Sequence, residues 1–148
     1  MNTVTTPRIE QFLAFYNNLS SANLEQLAQL YHANVTFIDP VHEINGREAL
    51  SQYFAHAYER LQQCQFTAAE KLEQAEQGFI SWKMQFSHPA IAKGKLLEVD
   101  GCSVLKWQDN MIIYQRDYYD LDAMVFQHLP ILGWLTTKVK HRMANSNA

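Results

Sequence analysis

Cysteine, glycine and positive charge are all scarce in this chain, and each shortage removes a class of function. The two cysteines, Cys64 and Cys102, stand far apart with no CxxC pair, which excludes a disulfide framework and a thiolate zinc centre and fits a reduced cytoplasm. Five glycines in 148 residues are too few for a phosphate loop, a dinucleotide fingerprint or a nucleophile elbow, and none of those spacings occurs. Against 15 Asp and Glu there are 12 Lys and Arg, a formal net charge of −3, and only the extreme C-terminus is locally basic. Nucleic acid is therefore not expected as a partner, since phosphate neutralisation needs cations clustered across a face.

Long apolar runs are missing too. None approaches the length of a membrane span, and the opening MNTVTTPRIEQF has neither the charged nor the apolar region of a secretion signal, so the expected location is the cytoplasm. Repeats and low-complexity tracts are also missing, and no triplet of ligands is spaced for a metal. No metal and no cofactor is expected.

Aromatic side chains are what the chain has in quantity: 8 Phe, 7 Tyr and 3 Trp, in a composition 47% hydrophobic and 18% charged. That balance suits one globular domain over residues 1–148 with one core, and rings in such number line a cavity as readily as they fill an interior.

Periodicity then places the elements. Ile9, Phe12, Leu13 and Tyr16 recur at helical spacing after Pro7 and predict a first helix. Beyond the Ser20-Ser21 break, Leu24, Leu27 and Tyr31 predict a second, ending near residues 32–34. Val35 and Phe37 alternate with Thr36 and Ile38, a short strand stopped by Asp39-Pro40, because proline cannot donate to a ladder. Asn45-Gly46-Arg47-Glu48 reads as an N-cap with a carboxylate three residues on, opening a third helix through Leu50, Tyr53, Phe54, Ala57, Tyr58 and Leu61. From Cys64 the period becomes two: strands over residues 64–75, 79–88, 95–107 and 111–120, with turns at Gln77-Gly78 and Asp109-Asn110, predict an antiparallel meander. In residues 79–88, Ile80, Trp82, Met84 and Phe86 share one face. Two further helices are expected in residues 123–143, around Pro130 and Gly133. The apolar and basic character of that segment suits a helix over a pocket mouth, or against a second copy, rather than a membrane contact.

The order of these elements, with YHANVTFIDPVHEINGREAL at residues 31–50 and MIIYQRDYYD at residues 111–120, resembles the nuclear transport factor 2-like superfamily in its SnoaL-like and ketosteroid-isomerase-like branches. The likeness covers residues 7–122. It implies an α+β cone, the cystatin-like roll, in which a curved antiparallel sheet wraps around the N-terminal helices and encloses an apolar pocket. A homodimer across the outer face of the sheet is implied as well.

Asp39 stands where the ketosteroid isomerases keep a general base. At the positions of their oxyanion partners this chain has Phe15 and Ser103, so steroid isomerisation itself is not expected. Asp117 resembles the last-strand aspartate of limonene epoxide hydrolases and SnoaL-type cyclases. The residue pattern alone puts Asp39 at the interior parity of its strand, where a carboxylate is costly unless paired, solvated or protonated; a turn-capping carboxylate is the alternative. Tyr16 and Tyr53 are candidate hydroxyl donors or ordinary core tyrosines, Trp82 and Met84 pocket wall or core, and His42 a second titrating group or a surface residue. The expected function is cofactor-free proton transfer on an apolar small molecule by Asp39 and Asp117, as an isomerase, dehydratase or cyclase. A non-catalytic binding module and a protein-assembly module are the alternatives.

Overall fold

A computed structural model describes residues 7–19, 24–59, 61 and 63–146; the expected Ser20-Ser21 break lies outside them. The first helix, α1 (Arg8–Asn17), starts after Pro7, whose missing N–H costs nothing at a helix entry. It buries Ile9, Phe12, Phe15 and Tyr16.

A single 3-10 turn at Leu24–Gln26 leads into the short α2 (Leu27–Leu30), and at Tyr31 the chain is already extended in β1 (Tyr31–Ile38). The second helix thus ends before Tyr31 rather than near residues 32–34. Fully buried Tyr31 pairs across to Ile112 and donates its hydroxyl to Gln115 Oε1 at 2.6 Å, so tertiary pairing overrides a weak helical period. A second departure is β2 (Glu43–Asn45), which the sequence reading missed; it pairs antiparallel with β1. Asn45, expected as a helix cap, is a strand residue whose Oδ1 accepts from Thr36 Oγ1 at 3.2 Å. Helix α3 (Arg47–Tyr58) begins instead after Gly46, whose φ of +92° needs a residue without Cβ, and ends short of Leu61.

The meander follows as β3 (Gln63–Gln74), β4 (Gln77–Ser87), β5 (Leu97–Gln108) and β6 (Met111–Tyr119), each antiparallel to the next. Asp109 and Asn110 both take positive φ, the type I′ hairpin geometry. The other tight turn lies at Ala75-Glu76, not Gln77-Gly78. Gly78 sits inside β4 beneath the Trp107 ring, where a Cβ would come within 2.3 Å of Cη2.

The six strands form one curved, unclosed sheet in the order β2-β1-β6-β5-β4-β3. It is mixed rather than wholly antiparallel, because β1 runs parallel to β6 with Ile38 opposite Arg116. Carried one residue further, that register brings Asp39 level with Asp117. The inner face presents Ile80, Trp82, Met84 and Phe86, all buried in one core cluster with residues of α1 and α3, while Lys83 and Glu98 pair on the outer face at 2.6 Å.

Gly101 has a specific packing role, since the Trp82 indole lies directly over it and a Cβ would meet Cη2 at 2.3 Å. Gly101→Ala is therefore expected to displace the indole and lower the unfolding free energy by about 1–3 kcal/mol in urea titrations.

The chain ends in α4 (Leu121–Met124), capped by the Asp120 carboxylate, a 3-10 turn at Phe126–His128, and α5 (Pro130–Asn145). The expected short helix, break and second helix are all present. Helix α5 leans on the body through Gly133, which is packed on the Gln127 carbonyl, and through Lys140, whose Nζ reaches Asp122 Oδ2 at 2.5 Å.

Candidate functional site

The concave face of the sheet, α1, α3 and the α4 segment enclose a cavity of about 210 Å³. Its wall is mostly aromatic and aliphatic, from Phe37, Phe54, Phe66, Trp82, Met84 and Phe86 among others. Asp39 and Asp117 both line it, as do Tyr16, Tyr53, Trp82 and Met84. The parallel β1–β6 pairing is what brings the two carboxylates to one wall. His42 is not among the lining residues: it lies in the loop after Asp39, with its side chain 45% exposed and its ring against Tyr53. Met124 and Val125 close the α4 side, and no residue of α5 reaches the cavity. The helix expected over the mouth is therefore α4 and not the apolar-basic α5.

Asp39 is 8% exposed and heavily hydrogen-bonded. Its Oδ1 accepts from the backbone N–H groups of Val41 at 2.8 Å and His42 at 2.6 Å, and lies 3.2 Å from His42 Nδ1. Its Oδ2 accepts the Tyr53 hydroxyl at 2.8 Å. The turn-capping role and the pocket position thus coexist in one side chain. Burial, reinforced by the charge of Asp39, holds the Tyr53 phenol well above its ordinary value, so it remains a donor.

Asp117 belongs to a different network, built on the β-sheet floor. Ser103 Oγ donates to its Oδ1 at 2.6 Å while accepting the Trp82 indole N–H at 2.9 Å. Gln115 Nε2 donates to the same Oδ1 at 3.0 Å and to the Tyr16 hydroxyl at 3.1 Å. Since the Tyr31 proton is committed to Gln115, Tyr16 donates to Tyr31 across 2.7 Å. Tyr16 therefore lines the cavity with its proton already used. Ser103 serves here as the anchor of Asp117.

Oδ2 of Asp117 takes no donor among the described residues. Burial pushes its carboxyl up to about 6, and the charge of Asp39 adds to the rise, against the opposing effect of the Ser103 and Gln115 hydrogen bonds. A carboxyl with that value is half-protonated near pH 6 and ionised in the main at pH 7 with about a tenth still protonated, so one group can both take and return a proton.

Tyr58, which the helical spacing placed on the α3 stripe, also lines the cavity, and so do two polar residues that sequence reasoning missed, Tyr119 and His88. Tyr119 carries a phenol that burial and the two aspartates hold protonated. His88 Nδ1 accepts from Ala90 N at 3.1 Å, which leaves Nε2 as the ring nitrogen that can donate. Tyr119 was discoverable in the sequence, two residues after Asp117 on the same face of a strand; nothing in the sequence marked His88. Burial raises the Cys64 thiol to about 11, which disfavours the thiolate. Among the described residues no group of three His, Cys, Asp or Glu side chains is arranged to hold a metal ion.

Comparison with known proteins agrees with this architecture. A family model described as the SnoaL-like domain matches residues 12–115. A hypothetical protein of ketosteroid isomerase-like fold from Catenulispora acidiphila, solved with trimethylamine, superposes with a TM-score of 0.72 at 21% identity, over 85% of this chain and 96% of that one. A proposed SnoaL-like polyketide cyclase from Jannaschia sp. CCS1 does so at 0.68 and 13% identity, over 84% and 92%. TerC, co-crystallised with polyporic acid, gives 0.67 and 18% identity over 80% and 95%. At these identities the structures establish a shared fold. No protein of curated function matches the sequence.

Proposed function

Because the chain belongs to the SnoaL-like domain family, we propose that it is a small-molecule pocket protein that catalyses proton transfer without a cofactor. The substrate class is an apolar compound carrying a carbonyl or hydroxyl, and the reaction an isomerisation, dehydration or cyclisation. One observation carries this reading: a carboxyl held near 6, with one oxygen free of donors among the described residues, in the wall of a mostly apolar cavity. Such a group is expensive in a fold and useful in catalysis.

Sequence alone favours Asp39 as base, with Asp117 as acid or orienting group. The hydrogen bonding favours giving Asp117 the proton transfer, since Oδ1 is held by Ser103 and Gln115 while Oδ2 remains open. Asp39, with both oxygens accepting, is the fixed negative partner whose charge bears on Asp117. Tyr119, and His88 through Nε2, would donate to the substrate oxygen, where negative charge develops. The volume is below the ~300–1,000 Å³ usual for ligand pockets, which selects a small substrate.

The test joins two measurements on the purified full chain. Native mass spectrometry is expected to find an apolar small molecule retained, and incubation of that molecule with the protein in D₂O to place deuterium on carbon. Retention without exchange would leave a binding module of the same fold; a cavity that retains nothing and exchanges nothing would end the pocket reading.

A further inference from the structure

Of the ten large hydrophobic side chains that are exposed among the described residues, six lie on α5: Ile131, Leu132, Trp134, Leu135, Val139 and Met143. They are not scattered around it. Leu132, Leu135, Val139 and Met143 follow at i, i+3, i+7 and i+11, one stripe along the helix, and Ile131, 76% exposed, extends it at the N-terminal end. Lys138 and Arg142, four residues apart, run beside the stripe, with Lys138 Nζ 4.8 Å from the centre of the Trp134 ring.

The charge on this helix is of one sign. Its sixteen residues include Lys138, Lys140, His141 and Arg142 and no Asp or Glu, although the whole chain is net negative. Lys140 is spent on Asp122 and orients α5 against α4; Lys138 and Arg142 have no acidic partner among the described residues. Two such helices packed face to face would bring unpaired cations together. An apolar stripe with cations along one edge, and an aromatic ring packed against the outer cation, instead matches an anionic lipid surface: side chains enter the acyl boundary while the cations meet headgroup phosphates.

We propose that α5 docks the protein peripherally on anionic bilayers. No helix among the described residues is long and apolar enough to cross one, so the contact is at the interface. This revises the expectation of no membrane contact, because the helix that covers the cavity is α4 and α5 is left outside it. Docking is independent of what the cavity binds, although α4, which walls the cavity with Met124, is joined to α5 by a single short turn.

Co-sedimentation of the full chain with vesicles tests this. Binding is expected to phosphatidylcholine vesicles containing a quarter phosphatidylglycerol, and to fall about tenfold or more in pure phosphatidylcholine or in 0.5 M salt. The double variant Lys138→Glu/Arg142→Glu is expected to lose at least as much, and Val139→Glu to lose binding while its circular dichroism stays unchanged. Equal binding to both vesicle types, no binding to either, or binding that survives these variants overturns the proposal. So does a dimer in light scattering that Val139→Glu dissociates, since α5 would then belong to a second copy.

Discussion

Phe54→Ala is expected to remove about 3–5 kcal/mol from the unfolding free energy, a large part of the ~5–15 kcal/mol that holds a domain together. Phe54 is 2% exposed and its ring meets those of Phe15, Tyr16, Tyr31, Phe37, Tyr53 and Tyr58, with centroids 5.5 to 6.3 Å apart. These partners come from α1, β1 and α3 itself, so a single truncation loosens the contact between the helical layer and the first strand. The lost ring also joins the existing cavity, because Phe54 forms part of its wall, and rigid neighbours cannot close the gap. Urea titration measures the loss, with Phe54→Leu as the milder control. A loss under about 1 kcal/mol would mean that the ring cluster collapses into the space and that the cavity is soft.

This aromatic centre was legible in the sequence in part. Helical spacing put Phe12 and Tyr16 on one stripe and Tyr53 and Phe54 on another, and alternation put Ile80, Trp82, Met84 and Phe86 on one strand face; all of these are core or cavity residues. What periodicity does not carry is partnership. Tyr31 reads as helix by spacing and is strand because Ile112 and Gln115 receive it. Asn45 has the composition of a cap and becomes a strand residue because β1 offers Thr36. Parity alone put Asp39 inside, but only the parallel β1–β6 register puts it beside Asp117, and a parallel neighbour distant in sequence leaves no local signal.

The site follows the same rule. Side chains on one element were found by pattern, and those that depend on hydrogen-bond traffic between strands were not. Ser103 was read as the loss of an acid; the structure makes it the donor that fixes Asp117 Oδ1. Tyr16 reads as a candidate donor or an ordinary core tyrosine, and only the pairing with Tyr31 shows its proton consumed. His88 comes from the strand exit after β4, where nothing in the local sequence distinguishes a cavity residue from a surface one.

Asp117→Asn is the variant in which stability and activity are expected to part. The carboxyl sits at about 6 in the folded protein against an ordinary 3.8. A carboxyl raised in this way binds its proton more tightly in the folded state, so its support for folding is complete below about pH 4 and is lost as pH rises through about 6. The gap between 6 and 3.8, at ~1.4 kcal/mol per unit, makes the loss at pH 8 about 3 kcal/mol at most, since the side chain keeps some contact with water. Asparagine cannot ionise, yet its carbonyl oxygen still accepts from Ser103 and Gln115, so the anchor is kept while the charge is removed. The variant is therefore expected to be more stable than the parent at pH 8, by about 1–3 kcal/mol, with the difference vanishing by pH 4. Proton transfer, read as deuterium exchange on the retained ligand, is expected to drop by about 10²–10⁴-fold, the usual worth of a positioned acid or base. Urea titrations of both chains across pH 4 to 8, beside that exchange assay, distinguish the outcomes. A gain in stability with exchange intact would make Asp117 a buried structural carboxyl, and equal pH profiles would mean that its proton is not held as the network around Ser103 and Gln115 requires.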